Sequence, residues 1–360
     1  KGATNASFTI TGIQQGVEDL SAAVDNTFET AYARVQVMQP ALLTLATVSG
    51  DKQVVGNGGT IAQPIVLKVT DQNNLVYPGA SVNAAASTGG TVTPQTAVAD
   101  ATGQVTFQWT PGSAGSAQLQ IFLAGTSPAQ GVAITALPPT SINAAGAVNA
   151  ASFAAGITAG GLSTIYGTTL AGGMTQQAGL PWPTELANVT LTVNNEPAKL
   201  LYVSDAQINF LAPADLAPGT ATIAVTTGAG TSASLQVAVN PIQPGIFFNP
   251  ATNFGAILDA GTAKSTEQHP AARGQFIEIY CTGLGAVQKN SDGLMATITQ
   301  PQVFIGNLPA TVSFSGFAGL YGGGLYQVDA QIPQGAPSGT QMLTLSIGGI
   351  ISNAVKVGIQ

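Results

Sequence analysis

One cysteine and one histidine in 360 residues leave little for metal or redox chemistry to use. Metal sites need several converging ligands, and His269 in "TEQHPAARG" stands alone. The expectation is no metal and no cofactor, with His269 a solvated loop side chain. Cys281 has no partner for an internal disulfide; within "FIEIYCTG" it reads as a small buried apolar residue rather than a reactive thiol. Charge is scarce too. Only 7% of residues are charged, and the nine basic ones are scattered singly. No basic patch collects phosphates, which excludes nucleic acid as a partner. From Ala101 to Thr184 there is no charged residue at all, yet Gly, Pro, Ser, Thr and Asn interrupt that stretch too often for a membrane span. The chain also lacks a G-x-S-x-G elbow, a Gly-Lys phosphate loop and H-E-x-x-H. The expectation is a protein that is not an enzyme.

What is present points to strands. The 44 glycines and 21 prolines are too many for long helices and suit short strands joined by tight turns. With 45% hydrophobic residues the chain can bury cores, and its length calls for roughly two to four modules. In "QPIVLKVTDQNN" Ile65, Leu67 and Val69 share one face and Asp71 to Asn74 turn easily. In "ADATGQVTFQWTPG" Val105, Phe107 and Trp109 alternate with Gln104, Thr106 and Gln108, a half-buried strand with Trp109 in the core. "AQLQIFLAG" and "GVAITALP" add two strands before Pro138 and Pro139 interrupt the ladder.

Read in order, "VVGNGGTIAQPIVLKVTDQNNLVYPGASV", "GGTVTP" and "AVADATGQVTFQWTPG" make residues 45–138 resemble the bacterial immunoglobulin-like repeats of the invasin and intimin type. That resemblance implies a β-sandwich of surface rods, with no catalytic residues to carry over. The family often has a glycine in the turn where "DQNN" stands here.

Residues 139–360 contain an internal repeat. "GLSTIYGTTLAG" aligns with "QFIEIYCTGLGA", placing Ile165, Tyr166 and Leu170 on Ile279, Tyr280 and Leu284. Further on, Gln207, Pro213, Gly219 and Thr220 fall on Gln327, Pro333, Gly339 and Thr340. Two sandwiches are expected, 139–243 and 244–360, with "NPIQPGIFFNP" as a proline-stiffened linker whose Phe247 and Phe248 pack at the junction. On the strength of "NAASF", "PAARGQFIEIYCTGLG" and "GLYQVDAQIPQGAPSGTQ" this half resembles the C-terminal domain pair of an uncharacterised family found at the ends of large secreted acidobacterial proteins. The resemblance implies an extracellular location and β-architecture. Gln207 and Asn209, like Gln327 and Asp329, share a strand face opposite Ile208 and Val328. Such a polar ladder binds sugar or is simply solvated and bridged to neighbours; the repeat is read as a building unit.

Residues 1–44 look like the last strands of another such module, in "ASFTITGI", "GVEDLSAAVD" and "AYARVQVM". Three strands expose an apolar face and an open edge. Either the 45–138 module covers them, or a strand from another subunit completes them by β-augmentation, or the chain was trimmed from a longer array. Phe8, Ile10, Val35 and Val37 are expected at that surface.

The most strand-embedded acids are Glu278 and Asp329, with Arg273 placed to pair with Glu278. Asp71, Asp100 and Asp259 lack the dense spacing of a calcium loop, and calcium is not assigned. The chain is therefore expected to be all-β, tandem immunoglobulin-like sandwiches in a rod, extracellular or on the cell surface. Its expected partner is itself, in a fibre or surface layer. The alternative is an adhesin or carbohydrate-binding module with Trp182, Tyr202, Tyr321 and Tyr326 as platforms, binding glycans or other surface proteins. A third reading, a hydrolase, would rest on Glu278 and Asp329.

Overall fold

A computed structural model describes residues 10–22, 31–56, 59–87, 89–112, 117–228, 230–319 and 323–360. The fold is all-β. Apart from the 3-10 turns Pro40–Leu42 and Pro128–Gln130, the regular elements among the described residues are strands, and no helix there is long and apolar enough to cross a membrane. The chain forms two compact units, Lys1–Pro138 and Pro139–Gln360.

In the first unit a four-stranded sheet runs in the order Thr44–Ser49, Ile65–Thr70, Gln104–Thr110, Thr91–Thr93. A five-stranded sheet follows the order Gln53–Val54, Val132–Leu137, Ala117–Leu123, Ser81–Ala86, Thr96–Val98. This is an immunoglobulin-type arrangement of two facing sheets. Period-two alternation sends Ile65, Leu67, Val69, Val105, Phe107 and Trp109 inward against Val82, Leu119, Ile121 and Ile134. Each such large side chain contributes about 1.5–3 kcal/mol relative to exposure. In the "DQNN" turn the Asp71 carboxylate accepts the amides of Asn73 and Leu75. Asn74 takes a left-handed φ of 63°, which asparagine tolerates, so no glycine is required there.

Ahead of this sandwich, Gly16–Ala22 and Ala31–Val37 pair as an antiparallel hairpin forming a sheet of their own. Arg34 meets Asp19 across it at 2.8 Å, an exposed ion pair. The strand expected in "ASFTITGI" is not seen in residues 10–13, which have no ladder partner; the rest of that segment, with Phe8, lies outside the described residues. Tyr77 ties the end of the hairpin to the sandwich, its hydroxyl accepting the Met38 amide at 3.0 Å and donating to the Gln36 carbonyl at 3.3 Å.

The second unit builds one sandwich plan twice. In the first copy Ser141–Asn149, Leu162–Thr168, Gln207–Leu211, Lys199–Val203 and Gln176–Gln177 form one sheet, facing a second built on Leu235–Asn240, Gly219–Thr227 and Val189–Val193. Glu196–Pro197 pairs with the second sheet and Lys199–Val203 with the first, so the chain turns a corner at Ala198. The second copy makes the same corner with one unbroken strand, Leu308–Phe317, which pairs with Gln302–Ile305 at its start and Tyr326–Gln331 at its end.

The segment expected to be a linker is part of the second sandwich. Gly245 and Ile246 pair with Thr282 and Cys281, and Ile246 is fully buried. The backbone polar groups of a segment packed this closely need partners, and the strand Phe276–Thr282 supplies them. The two copies are locked by polar contacts: Asn149 Nδ2 donates to the Gln243 carbonyl at 2.8 Å, and the Gln243 side chain donates to the Ala155 carbonyl at 2.8 Å. Of the two phenylalanines expected at the junction, Phe248 meets Phe153 edge to face, with ring centroids 6.0 Å apart.

Candidate functional site

The repeated polar ladder occupies the outward face of each copy. Strands Gln207–Leu211 and Tyr326–Gln331 bury Ile208 and Val328 completely and turn Gln207, Asn209, Gln327 and Asp329 outward. The shared glutamine does the same thing twice: Gln207 Nε2 donates to Asn209 Oδ1 at 2.7 Å, and Gln327 Nε2 donates to Asp329 Oδ1 at 2.8 Å. Gly219 and Gly339 each open a strand at positive φ, 136° and 92°, a backbone setting that favours glycine.

Register extends the correspondence across three strands. Thr164 and Tyr202 flank Asn209, and Glu278 and Phe314 flank Asp329. Tyr166 lies opposite Gln207, and Tyr280 opposite Gln327. Even the irregularity repeats, between Leu200 and Tyr202 in one copy and Val312 and Phe314 in the other. The chemistry differs. In the first copy Thr164 Oγ1 donates to Asn209 Oδ1 at 3.0 Å. In the second, two acidic residues, Glu278 and Asp329, are paired in register, and like charges directly opposite are destabilising. Asp329 is half-buried, and desolvation pushes its carboxyl above the usual carboxylate range, partly opposed by the Gln327 hydrogen bond. The Tyr280 hydroxyl donates to Glu278 Oε2 at 3.1 Å. The expected Arg273–Glu278 ion pair is not formed: Arg273 Nε donates instead to the Ala336 carbonyl, a buried acceptor that backbone pairing leaves available.

Other sequence candidates fall elsewhere. Tyr326 is no platform. It is buried, packs against Phe317 with centroids 5.0 Å apart, and donates to the Gly285 carbonyl; its parity with Val328 and Ala330 sends it inward. Trp182 and Tyr202 are part-buried, and Tyr321 lies outside the described residues. His269 is exposed. Asp71, Asp100 and Asp259 each spend a carboxylate oxygen on backbone amides two to four residues on, as turn-forming aspartates do. Among the described residues no group of three or more His, Cys, Asp or Glu side chains is arranged to hold a metal. Cys281 is buried, and burial raises its thiol pKa.

At the hairpin the structure brings Ile10, Val35 and Val37 together. With Gly12, Glu18 and Leu20 they line an open groove of about 340 Å³. Ile13 is 97% exposed, Tyr32 77% and Val17 55%; register puts Val17 and Tyr32 on one face of the two-stranded ribbon and part-buried Leu20, Val35 and Val37 on the other.

The chain matches no known family profile and no curated protein. The acidobacterial likeness therefore stays an expectation. Among solved structures, the Escherichia coli adhesin FdeC is 13% identical over 89% of this chain and 98% of its own, with a TM-score of 0.27. Yersinia pseudotuberculosis InvD is 17% identical over 89% and 99%, TM-score 0.28. The Bacteroides ovatus mixed-linkage glucan utilization protein SGBP-B, solved with a heptasaccharide, is 12% identical over 88% of this chain and 66% of its own, TM-score 0.29. At such identities and scores these likenesses carry no argument about function.

Proposed function

We propose that this chain is a non-enzymatic, extracellular β-sandwich protein of the cell surface that assembles with further copies of itself through the hairpin Gly16–Ala22 and Ala31–Val37. The supporting observation is that ribbon: among the described residues its two strands are alone in their sheet, each with an unpaired outer edge, with Val17 and Tyr32 on them and Ile13 beside them exposed. A lone hairpin is marginal in water, and an uncovered edge is a template for another strand. Neither strand carries a lysine, and of their three charged residues Asp19 and Arg34 pair with each other.

Sedimentation velocity of the full chain over a concentration series tests this, with negative-stain imaging of the heaviest fractions. The expected outcome is concentration-dependent oligomers that Val17→Lys with Tyr32→Lys returns to monomer. A monomer at every concentration would end the reading.

One observation favours a second reading, a glycan-binding face. Phe276, 36% exposed, stands on the same strand face as Glu278 and Tyr280, beside Phe314, Gln327 and Asp329. Aromatic rings beside hydrogen-bonding groups suit sugar rings. A glycan array probed with the full chain decides it, and the absence of any hit removes it.

A further inference from the structure

The two copies present one cross-strand position in two chemical versions. In the first, Thr164 donates to Asn209 at 3.0 Å, a neutral bond available at any pH. In the second, the same register joins Glu278 to Asp329, and ionised carboxylates only accept. Directly opposed residues on antiparallel strands hold their Cβ atoms about 4.5–5.5 Å apart, so the side chains that carry the two carboxyl groups are direct cross-strand neighbours.

The groups around the pair leave its charge uncompensated. On its own strand, Glu278 meets the Tyr280 hydroxyl. On the flanking strand Ile257–Asp259 its partner is Leu258. Asp259, at that strand's end opposite Lys264, turns its carboxylate to the amides of Gly261 and Thr262. On the other side of Asp329 the strand Leu308–Phe317 presents Phe314, and Gln327 supplies an uncharged amide. Arg273 is engaged by the Ala336 carbonyl, and Lys356 by the Thr252 carbonyl. Among the described residues no ion pair reaches either carboxylate.

We propose that Glu278 and Asp329 form a proton-operated latch: a single proton held between the two carboxyl groups makes, across this strand pair, the hydrogen bond that Thr164 and Asn209 make permanently in the first copy. No bond other than that to the added proton forms or breaks; one carboxyl becomes the donor and the other remains the acceptor. Half-buried Asp329, already disfavoured as an anion by desolvation, is the proton's holder. In the unfolded chain both groups titrate near pH 4, roughly. A folded value raised above that contributes stability that is fully present below the unfolded pKa and is lost as pH rises through the folded value. The second sandwich therefore tightens on mild acidification and loosens toward neutrality. This goes beyond the assembly reading and does not depend on it.

The test compares the full chain with Glu278→Thr plus Asp329→Asn, which installs the first copy's own pair. At pH 7.5 the variant's thermal midpoint for the second unit is expected to lie higher by about 2–4 °C, and the gap to close as the pH is lowered to about 4.5. All other groups are shared, so the difference isolates the pair. A gap that stays constant or widens on acidification overturns the proposal. Should the variant not fold, carbon-13 titration of Asp and Glu carboxyls in the unmodified chain decides it: coupled steps with one above the ordinary range support the latch, and two independent titrations in the ordinary range refute it.

Discussion

Leu162 and Thr282 stand 120 residues apart in the chain, yet the Leu162 amide donates to the Thr282 hydroxyl at 2.9 Å, and that hydroxyl donates onward to the Gly324 carbonyl at 2.7 Å. Thr282 is fully buried, so one side chain satisfies two backbone groups that water does not reach. It belongs to the second copy and Leu162 to the first, which makes it a pin between the two sandwiches. Thr282→Val keeps the shape and removes both bonds. Each of the two buried orphans costs about 1–3 kcal/mol, so urea unfolding is expected to show a loss of about 2–6 kcal/mol. Thr168, its repeat counterpart, is exposed; Thr168→Val is expected to change stability by less than about 0.5 kcal/mol. Equal effects from the two would rule out the pin.

Gly283 follows Thr282 with φ +77°, and a Cβ placed there would run into the Gln243 carbonyl. The corresponding residue of the first copy is Thr169, also left-handed at φ 53°, so the bend alone tolerates a side chain. What forbids one at Gly283 is the preceding segment, whose Gln243 amide donates to the Gly283 carbonyl at 2.9 Å. Gly283→Ala is expected to separate the copies: limited proteolysis around Pro241 to Gly245 accelerates, while the first copy's core stays protected in hydrogen exchange. Unchanged cleavage there would show that the segment is not held by this contact.

Much of this fold was legible because a strand's two faces are written in alternate residues. Ile65, Leu67, Val69, Phe107 and Trp109 were expected inward and are buried. The same parity, applied to "LYQVDAQ", puts Tyr326 on the inner face with Val328, because Gln327 and Asp329 claim the outer one, and naming it a surface platform overlooked that. Less legible was the turn after Ser141–Asn149. Asn149 and Asn249 each accept the amide two residues on, at Ala151 and Ala251, and Phe153 and Asn253 take the same left-handed φ, 58° and 63°. The side chains shared there are few, the opening Asn and a hydroxyl three residues on, Ser152 and Thr252, each accepting the amide two residues further. The linker misled as well: three prolines signalled a spacer, while pairing of Gly245 and Ile246 depends on a partner strand thirty-odd residues later in sequence. The Glu278–Asp329 pair was visible only as two acids; that they meet is a matter of register, which the chain does not announce.

Tyr77 offers a way to loosen the hairpin without touching it. Its hydroxyl is bonded at both ends to the backbone of the segment that leaves Ala31–Val37, at Met38 and Gln36. Tyr77→Phe retains the ring against the sandwich and deletes both bonds, each worth about 0.5–1.5 kcal/mol. Amide exchange over residues 31–38 is expected to accelerate several-fold, with the sandwich strands Ile65–Thr70 and Gln104–Thr110 unaffected. Equal exchange in the two proteins would mean that the hairpin is held by something other than this tether.

Cys281 carries the chain's one thiol, and it is fully buried beside Tyr326 in the second core. Desolvation raises its pKa far above that of a free thiol, so in the folded state it remains protonated across the working range. The sign follows from linkage: the thiol's contribution is fully present below the unfolded pKa of about 8.5 and is lost as pH rises above it, because only the unfolded chain releases the proton. Between about pH 8.5 and 10 the free energy of unfolding is expected to fall by up to about 1.4 kcal/mol per pH unit, and Cys281→Ala is expected to flatten that slope while lowering stability at pH 7 through the cavity it leaves. A thiol reagent added to the native protein at pH 8 reacts only as fast as the second sandwich opens, and completely once urea has unfolded it. Immediate reaction in the native state would place the sulfur at the surface and remove the basis for the alkaline slope.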